Sequence, residues 1–112
     1  MSTPAPTGDE LLTVMATLAN PHRLRVLAAL AGERDYVSRL ARKLGISRPL
    51  LQVHLRKLEA AGLVTGRLEL SEDGKAMKFY EVNPFVIELS PQTIQDAVGT
   101  LSVPEVGTEG TE

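Results

Sequence analysis

Between His22 and Lys57 the chain carries nine Arg or Lys residues against two acids, Glu33 and Asp35, a local balance of +7. Cations at that density attract a polyanion, and the phosphate backbone of a nucleic acid feels them over a Debye length of about 8 Å. The formal net charge of -2 conceals this asymmetry, because from Leu58 onward acids outnumber bases ten to three. Within the basic stretch, Arg48 and Gln52 have the chemistry to read base pairs. A guanidinium can donate two hydrogen bonds to guanine and a carboxamide can pair with adenine, each worth about 1–3 kcal/mol of discrimination. Ser47 and Arg56 add polar groups on the same segment, while Lys57 and Arg42 suit phosphate. Any one of these alone is an ordinary solvated side chain; their concentration on one stretch points to contact.

Other chemistries find few residues. With no cysteine among 112 residues, the chain offers no thiolate for a metal or a disulfide and no thiol nucleophile. No glycine-rich phosphate loop and no cluster of carboxylates with a histidine is visible, so an enzyme is not expected. The two histidines, His22 and His54, read as structural residues rather than ligands or bases. No cofactor and no metal is expected. No stretch approaches the ~20 apolar residues needed to span a bilayer, and Met1 to Gly8 lacks the basic residues and apolar core of an export signal. A cytoplasmic location is the resulting expectation.

The elements that must position Arg48 and Gln52 follow from caps and periodicity. Asp9 can cap a first helix with Leu11, Leu12, Met15, Leu18 and Ala19 at helical spacing. Asn20-Pro21 ends it and starts a second, for which Leu24, Leu27, Ala28 and Ala31 are the expected buried stripe up to Gly32. After a polar turn, Glu33 to Asp35, a third helix carries Leu40, Ala41 and Leu44 on one face and Arg39, Arg42 and Lys43 on the other. Gly45 suits the left-handed residue that ends a helix, Ile46 is expected in the core, and Ser47 caps a fourth helix with Pro49 in its first turn. That helix runs to about Ala61, with Leu51, Leu55 and Leu58 as its apolar stripe. Two helices joined by so short a turn cross steeply.

Beyond Gly62 the pattern becomes extended over Leu63 to Leu70 and Lys75 to Val82, and Asp73-Gly74 between them signals a hairpin. Phe85 to Leu89 reads as an extended apolar segment, and Ser90-Pro91 caps a last helix with Ile94, Ala97, Val98 and Leu101. The expected organisation is a flexible N-terminus over 1–8, one domain over 9–101 that is mainly α with a β-hairpin, and a flexible tail over 102–112.

Gly45-Ile46-Ser47-Arg48-Pro49, followed by His54-Leu55, Leu58 and Ala61-Gly62-Leu63-Val64, resembles the winged helix-turn-helix repressors of the ArsR type. Asn20-Pro21-His22-Arg23-Leu24-Arg25-Val26-Leu27 is similar to the second helix of that family, and the likeness covers about Leu11 to Val82. It implies a winged helix-turn-helix fold that binds double-stranded DNA, with the helix beginning near Ser47 and Pro49 in the major groove. It also implies a homodimer formed by the first and last helices. The dimer-interface candidates are then Leu11, Leu12, Met15, Leu18, Ile94, Val98 and Leu101. A two-fold dimer prefers an inverted repeat. The sequence departs from the metal-sensing members: Tyr36-Val37-Ser38 stands where they often carry a cysteine pair, and only Gln92, Gln95 and Asp96 are candidate polar ligands on the last helix. Nothing in the residues names another effector.

Three points stay open at this level. Leu50 and Val53 fall outside the apolar stripe of the fourth helix; they could meet thymine methyl groups, pack against neighbouring helices, or face a protein partner. Arg67, Lys75 and Lys78 could reach DNA from the hairpin, against repulsion from Glu69, Glu72 and Asp73. The apolar terminal helices could close the chain's own core instead of pairing with a second copy. The rival to DNA reading is a protein-interaction module on the same scaffold, favoured by the net acidity and by Leu50 and Val53. RNA binding is a lesser reading, since the fourth helix lacks aromatic residues for stacking.

Overall fold

The computed structural model describes residues 5–102. Five helices and three strands follow in the order α1 (Gly8–Leu18), α2 (Pro21–Gly32), β1 (Asp35–Tyr36), α3 (Val37–Leu44), α4 (Arg48–Ala60), β2 (Val64–Leu70), β3 (Ala76–Val82) and α5 (Pro91–Val98). The chain divides into two compact units: 15–86 forms one, and the segments before and after it form the other. Of the flexible ends expected over 1–8 and 102–112, residues 1–4 and 103–112 lie outside the described residues.

In the larger unit the helix ends form where their caps stand. Asn20 Oδ1 accepts from the backbone N–H groups of His22 and Arg23 at 2.9 and 3.2 Å, with Pro21 at the first helical position. Gly45 takes the left-handed conformation, φ 69°, at the end of α3. The next turn begins at Ser47, whose Oγ accepts from the Leu50 N–H at 3.2 Å. Such a cap stabilises a helix by about 1 kcal/mol. The buried side of α4 is Leu51, Leu55 and Leu58, none of which reaches solvent, together with His54. They join Val26, Leu27 and Leu30 of α2, Leu40 and Ala41 of α3, Leu63 just before β2, and Val64 and Tyr80 of the sheet to form the core. Each fully buried leucine stabilises by about 1.5–3 kcal/mol.

The α2 stripe differs from expectation. Leu24 is 53% exposed, and Ala28 and Ala31 also face outward, while Val26, Leu27 and Leu30 are buried. Apolar residues run almost all round this helix, so its periodicity leaves the rotation undetermined and packing decides it. Ile46 is half-buried rather than enclosed.

The sheet is antiparallel in the order β1-β3-β2. β2 and β3 form the expected hairpin, turning at Ser71 to Gly74 with Gly74 at φ 84°. Gly66 lies opposite Tyr80, and a β-carbon there would stand 2.8 Å from the Tyr80 ring. The two-residue β1 was not expected: Asp35 and Tyr36 pair with Tyr80 and Phe79, so the supposed polar turn is partly sheet. Residues Phe85 to Leu89 form no strand; Phe85, Val86 and Leu89 are exposed.

In the smaller unit Thr7, not Asp9, caps α1. Thr7 Oγ1 accepts from the Glu10 N–H at 3.1 Å while Glu10 Oε1 accepts from the Thr7 N–H at 2.8 Å, a reciprocal box. The Asp9 carboxylate is engaged elsewhere, accepting from the Ser102 N–H at 2.9 Å and from its hydroxyl. Gly8 donates its N–H to Thr100 Oγ1 at 2.7 Å, and a β-carbon on it would stand 2.3 Å from the Ala97 carbonyl oxygen. α5 starts from a capping box between Ser90 and Thr93 with Pro91 at its first position.

Candidate nucleic-acid interface

The stripe of Leu51, His54, Leu55 and Leu58 fixes the rotation of α4, and this leaves Arg48, Pro49, Leu50, Gln52, Val53, Arg56 and Lys57 exposed around the rest of the helix. Ser47, exposed at the N-cap, precedes them. Residues on α4 expected to touch a ligand are therefore uncovered by their own unit. The N-terminus of α4 adds the positive end of a helix dipole and backbone N–H groups suited to an anion.

His54 is the polar member of the buried side. Its Nδ1 accepts from Arg23 Nε at 3.2 Å, and its ring stacks on His22 with centroids 5.3 Å apart. A second guanidinium nitrogen of Arg23 donates to the Thr17 carbonyl oxygen at 3.1 Å. Because Nδ1 accepts, the neutral ring carries its proton on Nε2, which is buried without a hydrogen-bond partner among the described residues. Burial first, then the charge of Arg23, and after it His22 and Lys57, hold the His54 pKa below the ordinary histidine value. This residue ties α2 to α4, in keeping with the structural role expected for both histidines.

The basic residues divide into two groups. Asp35, expected in a polar turn, is buried; its carboxylate lies 3.1 Å from Lys43 Nζ and 3.7 Å from Arg39 Nε and accepts from the Tyr36 N–H at 2.9 Å. Glu33 stands 3.5 Å from both of the same cations. Two of the three α3 cations are thus already matched. Arg42, on the same helix, is exposed and has no ion pair among the described residues, and the same holds for Arg48, Arg56 and Lys57 on α4.

The hairpin is largely self-neutralised. Arg67 pairs with Glu81 at 3.3 Å. Arg34 donates to both carboxylate oxygens of Glu69, at 2.7 and 3.1 Å, and its guanidinium lies 4.6 Å from the Phe79 ring centroid. That bidentate pair lowers the Glu69 pKa and raises that of Arg34. Lys78 sits 5.7 Å from the Tyr80 ring centroid, and Lys75 is exposed near the turn. Sequence reading missed the partners of Arg34, Arg39, Lys43 and Arg67, since the acids that hold them come from other turns and strands; the i,i+4 spacing of Asp35 and Arg39 was the one signal available.

Among the dimer candidates, Leu12, Ile94, Val98 and Leu101 of the smaller unit are exposed, as is Met15 of the larger one, where Leu18 is half-buried. Leu11 is buried within its own chain. Among the described residues no three His, Cys, Asp or Glu side chains gather as a metal site, and no helix is long and apolar enough to cross a membrane.

Residues 18–67 match the helix-turn-helix domain family. A helix-turn-helix-type transcriptional regulator of Methanocaldococcus jannaschii is 36% identical over 78 residues, which span 70% of this chain and 81% of that one. The nodulation protein NolR of Rhizobium meliloti is 43% identical over 53 residues, 47% of this chain and 43% of NolR. Among solved structures, a homodimeric winged helix-turn-helix DNA-binding domain of Mycobacterium bovis, a possible ArsR-family regulator, superposes with a TM-score of 0.60 at 28% identity, over 66% of this chain and 64% of that one. NolR of Sinorhizobium fredii gives 0.58 at 26% identity, over 88% and 92%. With its helix-turn-helix at α3 and α4 and its β2–β3 wing, the chain belongs to the winged helix-turn-helix family of transcriptional regulators.

Proposed function

We propose that this chain is a sequence-specific, double-stranded-DNA-binding transcriptional regulator that works as a homodimer on an inverted repeat and represses by occupying its site. The observation that carries the reading is the division of its cations. Arg34, Arg39, Lys43 and Arg67 are matched by acids, whereas Arg42, Arg48, Arg56 and Lys57 of the helix-turn-helix hold no ion pair among the described residues; of the other cations without one, Arg23 is turned to His54 and the Thr17 carbonyl, Arg25 lies on α2, and Lys75 and Lys78 lie on the hairpin. Ser47, Arg48, Pro49 and Gln52 open α4 toward base edges, and Arg42 and Lys57 meet phosphate. Arg67, Lys75 and Lys78 of the wing add weaker contacts, because Arg67 already has its counter-ion.

Leu12, Ile94, Val98 and Leu101 of the smaller unit offer apolar side chains to a second copy, and Met15 and Leu18 of the larger unit are further candidates. The homodimeric state of the similar M. bovis domain supports this assignment. A two-fold pair presents two α4 helices to successive major grooves, about one DNA turn apart.

The alternative, a protein-interaction module that does not read DNA, draws on the exposed Leu50 and Val53. Selection from random duplex DNA separates the two readings. The regulator enriches an inverted repeat, and log affinity falls with log salt at a slope of about -4 or steeper if Arg42 and Lys57 of both protomers reach phosphate. Arg48→Ala and Gln52→Ala relax the enriched sequence. Enrichment of no sequence would falsify the proposal and favour the interaction module.

A further inference from the structure

Val53 and Leu50 are each 40% exposed although both are apolar and lie within α4. At about 100° per residue, Val53 stands roughly 150° round the helix from the middle of the Leu51, His54, Leu55 and Leu58 stripe, and Leu50 about 90° from it. Val53 is therefore close to the centre of the solvent-facing side, with Leu50 three residues earlier as its surface neighbour. Neither belongs to the core, which removes one of the three readings open from sequence.

Their surroundings distinguish the other two. Arg56 and Lys57, three and four residues after Val53, flank it on the helix surface, and Arg48 and Gln52 lie farther round the same helix; all four are exposed, and the three cations have no counter-ion among the described residues. The buried centre of a protein–protein interface is depleted of charge, so an apolar pair flanked by two unmatched cations is poorly suited to one. A DNA groove has the complementary arrangement: phosphates lie along both walls, and base edges line the floor. The apolar group displayed on the major-groove floor is the C5-methyl of thymine.

Resting on the reading of α4 as the helix that enters the major groove, we propose that Val53, flanked by Leu50, recognises thymine C5-methyl groups, so that each half-site carries thymine at the base pairs facing these two residues. Val53 has a short, branched side chain with one strongly preferred rotamer, so the apolar surface it offers is fixed in place. The contact is dispersive and desolvating, and it adds to hydrogen bonds made by Arg48 and Gln52 without replacing them.

Replacing thymine by uracil deletes the methyl and leaves every hydrogen-bonding group in place. The test uses the full chain and the duplex enriched by selection, resynthesised with deoxyuridine at one thymine at a time. Affinity is expected to fall about fourfold at one or two thymines per half-site, the effect of exposing one buried methyl group. The Val53→Ala variant is expected to bind thymine and uracil versions of the Val53-facing position equally while keeping the salt dependence of the parent. Alanine at this exposed helical site preserves folding. Two results would overturn the inference while leaving DNA reading intact: uracil tolerated at every position by the parent protein, or the thymine preference persisting undiminished in Val53→Ala. If no duplex is enriched at all, the proposed function fails and this assignment fails with it.

Discussion

Arg23 donates from Nε to Nδ1 of His54 at 3.2 Å, a bond that joins α2 to the buried side of α4. The bond needs a neutral imidazole, since a protonated ring has no lone pair to accept with. Burial and the neighbouring Arg23, His22 and Lys57 charges lower the His54 pKa, so folding favours the unprotonated form.

A pH dependence follows. Above pH 6.5, the ordinary histidine value, the ring is neutral in both folded and unfolded chains and contributes no slope. As pH falls below that value the unfolded chain takes up the proton first, and stability is lost toward the lowered folded pKa. Urea unfolding at pH 7.5 and pH 5.5 should give a lower midpoint at the acid value, and a His54→Asn variant should show a smaller difference. Equal pH sensitivity in both proteins would show that His54 is not the group responsible.

Asp35 and Glu33 hold the same two cations from different environments, one carboxylate buried and the other solvated. Asp35→Ala should destabilise the fold by about 2 kcal/mol, as expected for losing a buried carboxylate that accepts the Tyr36 N–H and pairs with two cations. Glu33→Ala should cost less than about 1 kcal/mol, because an exposed pair gains little over solvent. Denaturant midpoints at constant m-value measure both, and similar losses would mean that burial does not distinguish the two carboxylates.

The matched and unmatched cations of α3 should separate in their salt response. Arg42→Ala is expected to weaken binding to the selected duplex and to make the log–log salt slope shallower by about two, one for each protomer. Arg39→Ala, which removes a charge already neutralised by Asp35 and Glu33, should change that slope by less. Titrations at several salt concentrations decide this, and an equal change in the two variants contradicts the division of cations.

Val98 is 57% exposed in the single chain, so an acid placed there should spare folding and act on self-association. Val98→Asp is expected to sediment as a monomer with an unaltered helical spectrum, and to bind an inverted repeat roughly a hundredfold more weakly for want of the second half-site contact. A variant that remains dimeric would place the interface elsewhere.

How much was legible beforehand depended on the range of each interaction. Asn20, Ser47 and Ser90 cap helices through bonds that close within three residues, and Gly45 and Gly74 take left-handed conformations imposed by their own turns. The four- and three-residue spacing of Leu51, Leu55 and Leu58 likewise fixes which side of α4 turns inward. Those features were readable because they are local, and with them the exposed setting of Arg48 and Gln52. Tertiary packing alone decided the rotation of α2, whose apolar residues encircle it, and the pairing of β1 with a strand over forty residues later. It also drew Asp9 away from capping, since Ser102 reaches its carboxylate from the far end of the chain. The distribution of charge was settled the same way: composition counts every cation between His22 and Lys57 alike, but only the fold brings Glu69 to Arg34 and buries Asp35 against Lys43, leaving Arg42, Arg48, Arg56 and Lys57 of the helix-turn-helix without a counter-ion among the described residues, as are Arg23 and Arg25 of α2. An ion pair depends on distance in space, and separation along a chain does not determine that distance until the chain has folded.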